Sequence, residues 1–256
     1  MLLPASYAAV YLVPRVNRKA LSHATGFVAF DGAKPILLTA RHVVTGRHNL
    51  TGKLLSSTGA EPDELVLRFV LPGAAGPEFD ERTEPLFAGN RPRWVEHPTL
   101  GRRMDAVALR LTNTDKLRVP TLNLNAPLGD EDPPIAYGPA DPVSVVGYPF
   151  GLDAGGFAIW ATGFVASEPS VDFQDTPVLL VDCRSRRGQS GSPVLLQRNY
   201  GVIILENGSI IADGRPRSRL LGLYSGRVKS KSDIGIVWKT SALRELLAHA
   251  TGGWNG

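Results

Sequence analysis

The chain has 256 residues, 43% hydrophobic and 20% charged, with 28 basic against 24 acidic side chains and a formal charge of +4. That balance excludes disordered, collagenous and fibrous classes, and the length can bury a substantial core without disulfides. No apolar run approaches the ~18 residues of a membrane span, and the lone Cys183 excludes an intrachain disulfide and a Cys-rich zinc site.

Met1–Ser6 lacks the basic start and long apolar stretch of a secretory signal, so the expectation is a cytoplasmic protein. Short apolar or alternating runs then follow one another between glycines and prolines. In the first half they are Ala9–Val13, Gly26–Phe30, Ile36–Thr39, Leu65–Val70 and Ala106–Leu111. In the second they are Val143–Tyr148, Phe157–Val165, Val178–Val181, Pro193–Leu196, Val202–Leu205, Leu220–Tyr224 and Ile234–Trp238. Runs of this length, rich in Val, Ile, Phe and Tyr and bounded by turn residues, predict an all-β sandwich or barrel. Asn207-Gly208 between Val202–Glu206 and Ser209–Ala212 predicts a hairpin with a type I′ turn.

The segment 119–142 holds six prolines and the acidic Asp130-Glu131-Asp132, and reads as a linker between a unit at 1–118 and another at 143–256. A terminal helix is expected over about 241–250, capped by Ser241, with Leu243, Leu246 and Leu247 on one stripe. No fixed period suggests a solenoid or propeller.

Charge is unevenly spread. Residues 184–231 carry ten basic side chains against Glu206 and Asp213, a local surplus of eight. No zinc ligands, recognition helix or aromatic RNA-binding motif accompanies the runs Arg215–Arg219 and Arg227–Lys231, which argues against nucleic acid. A solvated face or a docking patch for an acidic protein partner is expected there.

Three motifs stand in order. An apolar strand ends in Thr39-Ala40-Arg41-His42, Asp105 opens the strand Ala106–Leu109, and Ser190 sits in Gly188-Gln189-Ser190-Gly191-Ser192-Pro193. A serine hydroxyl is a poor nucleophile at neutral pH and needs a base within hydrogen-bond reach. Histidine can take that proton and later give it to a leaving amine. A carboxylate fixes the imidazole tautomer and stabilises the imidazolium. Glycines beside the serine let backbone amides, here those of Gly188 and Ser190, converge on an oxyanion, each donor worth about 3–4 kcal/mol in a measured case.

These boxes resemble those of the trypsin-like, chymotrypsin-fold serine peptidases, and the chain looks like a bacterial-type member. Thr39-Ala40-Arg41-His42 is similar to the family's Thr-Ala-Ala-His box, Asp105–Leu109 to Asp-Ile-Ala-Leu, and Gly188–Pro193 to Gly-Asp-Ser-Gly-Gly-Pro. The resemblance spans about residues 8–250. It implies two antiparallel β-barrels and a C-terminal helix, with His42 and Asp105 from the first barrel and Ser190 from the second. Ser190 would be the nucleophile, His42 the general base and Asp105 its orienting partner. Neither a metal nor an organic cofactor is expected.

Gln189 replaces the acidic residue that pairs with a newly cut N-terminus in digestive members, which predicts a pre-formed or differently regulated site. Arg41 is expected to point to solvent. The family's substrate walls would fall on Arg184, Tyr224, Ser225, Gly226 and Arg227. Arg184 at the pocket base would favour an acidic side chain before the cleaved bond of a protein or peptide substrate. His23, His48, His97 and His249 are read as structural or surface residues.

Two competing readings differ in what they require. An α/β-hydrolase would need the order Ser, acid, His, a Gly-x-Ser-x-Gly elbow and alternating helices, none of which is present. A binding or scaffold module on a protease fold is the remaining alternative.

Overall fold

The computed structural model describes residues 3–31, 34–73, 76–112, 114, 122, 124, 134–229 and 231–252. A 3-10 turn over Pro4–Tyr7 leads into β1 (Ala9–Val16), β2 (Lys19–Ala20), β3 (Ala24–Asp31) and β4 (Lys34–Thr39). A one-turn helix, α1 (Arg41–Thr45), follows β4 directly. Next come β5 (Glu64–Gly73), β6 (Gly76–Pro85), the short pair β7 (Phe87–Ala88) and β8 (Arg91–Pro92), then β9 (Trp94–Glu96) and β10 (Val107–Arg110). β2 pairs with β1, and the sheet path runs β6-β5-β1-β3-β4-β10-β9, eight strands in all.

The second half supplies β11 (Pro142–Gly147), β12 (Ile159–Val165), β13 (Val178–Asp182) and β14 (Pro193–Arg198). It continues with β15 (Ile203–Ile204), β16 (Ile210–Ile211), β17 (Arg217–Arg227), β18 (Ile234–Lys239) and the helix α2 (Thr240–Gly252). The strands β11-β12-β13-β18-β17-β14 close into a barrel, while β15 and β16 form a separate hairpin. The expected all-β class with a terminal helix is what the chain adopts. Most of the predicted linker 119–142, including Asp130-Glu131-Asp132, lies outside the described residues.

Several strands lack polar residues on either face because both faces are buried. Side chains alternate across a strand, and here the alternation sorts residues between two cores. Phe27 and Ala29, Ile36 and Leu38, and Ala108 enter one cluster with Tyr148, Leu223 and Trp238 of the second half. The intervening Val28, Leu37, Val107 and Leu109 enter another with Leu65, Leu67 and Phe69. A third cluster fills the closed barrel with Val145, Val181, Val194, Tyr224 and Val237. The first cluster joins the two halves, so their relative placement follows from shared apolar burial.

Helix α2 buries Ala242, Leu243, Leu246, Leu247 and Ala250 against that cluster. It starts at Thr240, so Ser241 lies inside the first turn rather than capping it. The Asn-Gly hairpin also forms, with a different turn. Leu205 N–H donates to Ser209 O at 2.9 Å and Gly208 N–H to Leu205 O at 2.9 Å, leaving a three-residue loop. Gly208 has φ 82°, whereas Asn207 is absent from the positive-φ residues, so a type I′ turn is excluded. The Asn207 side chain instead accepts the Ser209 N–H at 2.9 Å.

One ion pair is buried at the rim of the first sheet. Glu84 receives Arg93 Nη1 at 3.2 Å, Thr112 Oγ1 at 2.7 Å and Thr112 N at 2.8 Å. Glu84→Ala removes the carboxylate from the buried Arg93 charge, which keeps hydrogen bonds to the Pro85 and Arg110 carbonyls. The expected loss is about 3–5 kcal/mol of unfolding free energy, read from urea denaturation at neutral pH.

Candidate active site

The register of two strands brings His42 and Asp105 together. Val107 pairs with Thr39, and continuing that antiparallel register puts Asp105 level with the first residues of α1. Asp105 then holds His42 at two points. Oδ2 accepts Nδ1–H at 2.8 Å, and Oδ1 accepts the His42 backbone N–H at 3.0 Å. The bidentate contact fixes the ring tautomer with the proton on Nδ1, leaving Nε2 as the basic nitrogen. Burial disfavours the imidazolium, but the Asp105 charge and hydrogen bond outweigh it, so the His42 pKa stands above its ordinary value. Arg41 does not point to solvent: it is largely buried and donates to Glu96 Oε1 at 2.7 Å.

Ser190 sits on a loop pressed against β3. Gly188 (φ 98°) and Gly191 (φ 87°) adopt backbone conformations open to glycine, and a Cβ at Gly191 would lie 2.0 Å from the Thr25 carbonyl. Among the described residues, neither the Gly188 nor the Ser190 N–H meets an acceptor. The Ser190 hydroxyl donates to the Ser225 carbonyl at 3.5 Å rather than to His42. Gln189 is fully buried, and its Oε1 accepts the Arg186 N–H at 2.7 Å. That bond braces the loop from within.

Thr25 is the residue that sequence reasoning missed. Its N–H donates to Ser190 O at 3.0 Å and its hydroxyl to Gly188 O at 2.7 Å. The same hydroxyl accepts Tyr148 N–H at 3.1 Å, and Thr39 Oγ1 donates to the Thr25 carbonyl at 2.8 Å. One threonine therefore ties β3 to the serine loop across the two halves. Thr25→Val strips partners from two buried backbone groups. We expect it to cost about 1–3 kcal/mol in denaturant titration.

Two cavities flank His42. One, of about 330 Å³, is lined by His42, Gly188, Ser190, Arg187, His23 and Leu21. The other, of about 380 Å³, is lined by His42, Asp105, Ser225, Gly226, Arg227 and His48. His23 and His48 thus border the site rather than standing apart from it, and His23 Nδ1 is bonded to Tyr11 Oη at 2.6 Å. Arg184 is exposed and lines neither cavity. Tyr224 is buried and lines neither, with its hydroxyl bonded to Ser185 Oγ. Burial pushes the Tyr224 hydroxyl up to about 12, against the opposing pull of Ser185.

The basic segment is less uniform than its sequence suggests. Arg198 pairs with Asp141, Arg215 and Arg217 with Asp213, and Arg219 with Glu206. Arg217 is itself buried, so the Arg215–Arg219 run is not one solvated face. Arg184, Arg186, Arg187 and Arg227 remain exposed around the serine loop and strand edge.

A family model for the trypsin-like peptidase domain matches residues 24–203. Solved structures share the fold at low identity. A serine endoprotease from Yersinia pestis aligns with TM-score 0.54 at 15% identity, over 96% of this chain and 65% of that one. The chain thus spans slightly less than two thirds of that protein's length. The protease Anisep from Arthrobacter nicotinovorans aligns with TM-score 0.53 at 16% identity over 96% of both chains. The MamO protease domain from Magnetospirillum magneticum gives 0.50 at 15%, over 96% of this chain and 97% of that one. No curated protein matches in sequence. Because the family match takes in well over half of the chain, and the closed barrel and its partner sheet agree with it, the protein belongs to the trypsin-like serine peptidases.

Proposed function

We propose that the protein is an endopeptidase acting through an acyl-enzyme on Ser190, with His42 as general base and then acid and Asp105 as its orienting partner. The observation that carries this reading is the shared cavity in which Ser190, the Gly188 backbone and His42 meet, with Asp105 clasping the far side of the imidazole.

Turning the Ser190 side chain from the Ser225 carbonyl toward His42 Nε2 starts the reaction; long catalytic hydrogen bonds are common without substrate. Oγ then attacks the peptide carbonyl carbon as its proton passes to Nε2. The oxyanion accepts hydrogen bonds from the Gly188 and Ser190 amides, which have no other acceptor among the described residues. The imidazolium gives its proton to the departing amine. Water, deprotonated by the same nitrogen, releases the new carboxyl group and restores Ser190.

Substrates are proteins or peptides. Arg184 borders neither cavity, so we assign a preference for acidic residues to Arg187 and Arg227, at positions flanking the cleaved bond. The same exposed arginines would meet an acidic protein partner. A fluorophosphonate probe tests the catalytic reading: wild type is expected to gain one adduct, mapped by peptide mass spectrometry to Ser190. Correctly folded protein that gains none would support the alternative, a binding module on a protease fold.

A further inference from the structure

Each amide assigned to the oxyanion is aimed by the carbonyl of its own peptide unit, because a trans peptide points N–H and C=O in opposite directions. For Ser190 that carbonyl is Gln189 O, which accepts Ser192 N–H at 3.0 Å within the same turn. For Gly188 it is Arg187 O, which accepts Phe150 N–H at 2.6 Å from a separate loop. Glycine tolerates either sign of φ, so residue 188 offers little resistance of its own to rotation of the 187–188 peptide. The Phe150 N–H therefore holds this donor in place.

The Phe150 conformation in turn needs outside support. Its φ of 55° and ψ of 19° are left-handed backbone, unfavourable for a residue with a Cβ. Its ring is 59% exposed, so burial of the ring does not compensate. Support comes from the first half of the chain. Arg68 on β5 donates through Nη2 to Asp153 Oδ2 at 2.8 Å, while Asp153 Oδ1 accepts Gly156 N–H at 2.8 Å. The guanidinium lies 4.5 Å from the centroid of the Tyr11 ring, and Tyr11 Oη is bonded to His23 Nδ1. The His23 ring packs on the same turn, where a Cβ at Gly151 would stand 2.9 Å from its Cγ. An exposed ion pair alone would contribute little. This one is part-buried and fixed at both ends, by the aromatic face and by Gly156.

We propose that Arg68 is a positioning residue for catalysis: by clamping Asp153 across the two halves, it holds the 148–153 turn so that Phe150 N–H keeps the Gly188 amide aimed at the oxyanion. The proposal rests on the catalytic reading above. It makes one of the two oxyanion donors depend on a contact between the halves, whereas the other is held within the serine loop itself.

The test is steady-state hydrolysis of a fluorogenic peptide that wild type cleaves, with inhibition by a peptide aldehyde of the same sequence. The hemiacetal formed on Ser190 sets an oxygen before the Gly188 amide. Two variants break the clamp from either end: Arg68→Gln, and Asp153→Asn, which keeps an acceptor for Gly156 N–H. Complete loss of an oxyanion donor costs about 10²–10³-fold in kcat, so a loosened one is expected to cost at least ~10-fold, with KM within ~2-fold of wild type. The aldehyde Ki should rise by the factor by which kcat falls, a correspondence that general damage to the fold does not produce. The double variant should lose no more than either single one, since both remove the same contact. A folded variant with kcat within ~2-fold of wild type, a loss confined to KM, or an unchanged aldehyde affinity overturns the proposal. Where one variant fails to fold by circular dichroism, the other decides by the same criteria. Failure of both to fold would make the clamp a structural one and overturns the proposal too. Folded wild type that neither labels with fluorophosphonate nor cleaves overturns the catalytic reading and this proposal with it. Active wild type with unaffected variants overturns this proposal alone.

Discussion

Alanine at position 190 is expected to lower kcat about 10⁶-fold, the loss measured when a serine peptidase of another fold loses its nucleophile. The effect should be almost wholly catalytic. Ser190 Oγ makes one long contact, 3.5 Å to Ser225 O, so its removal leaves the fold nearly unchanged. Both amides assigned to the oxyanion belong to the backbone and survive the substitution. Some catalysis over water should therefore persist from that hole and from binding. Adding His42→Ala to Ser190→Ala should cost little more, because the two residues act as one unit. The measurement is steady-state hydrolysis of a fluorogenic peptide, with circular dichroism to confirm the fold. Folded Ser190→Ala that keeps more than ~1% of wild-type kcat would remove Ser190 from the mechanism.

Asp105→Asn should reduce kcat about 10⁴-fold with the fold intact. The amide oxygen can still accept the His42 backbone N–H, now 3.0 Å from Oδ1. The amide nitrogen, however, presents a donor to Nδ1, which must then accept, moving the ring proton to Nε2 and blocking it as a base. The pH profile separates this from general damage. Catalysis needs neutral His42, and its folded pKa is raised because Asp105 outweighs burial. The acid limb of kcat/KM in wild type therefore has its midpoint above about 6.5. Without the carboxylate only burial remains, which lowers the pKa, so the limb should move to lower pH in Asp105→Asn.

Stability carries the same sign. A raised folded-state pKa adds stability that is full below the unfolded value of about 6.5 and is lost as pH rises through the folded value. Asp105→Asn should thus destabilise more at pH 5 than at pH 8. An acid limb that stays in place, or a penalty independent of pH, would contradict the assigned pairing.

The three motifs were legible because each is local. A strand end fixes His42, a strand start fixes Asp105 and a glycine-flanked turn fixes Ser190, so spacing and residue type carry the information. The continuous apolar strands were legible too, though their cause was not: residues on opposite faces serve two different cores. Thr25 carried no signal, being an ordinary strand threonine whose partners Gly188 and Ser190 are distant in sequence. The basic segment misled for a similar reason. Arg198 finds Asp141, outside the counted stretch, and Arg217 is buried, so local charge overstated the exposed charge.

By itself the sequence determined the all-β class and the terminal helix and named the residues proposed for acyl transfer, since these depend on hydrophobic period, turn chemistry and side-chain type. Its charge surplus around residues 184–231 pointed to a solvated face or a docking patch for an acidic partner. Only the tertiary structure decided which of those arginines border a cavity and how Thr25 joins the two halves. Those outcomes depend on which side chains meet across strands and loops distant in the chain. Close packing leaves one such set of contacts, and no local pattern encodes it.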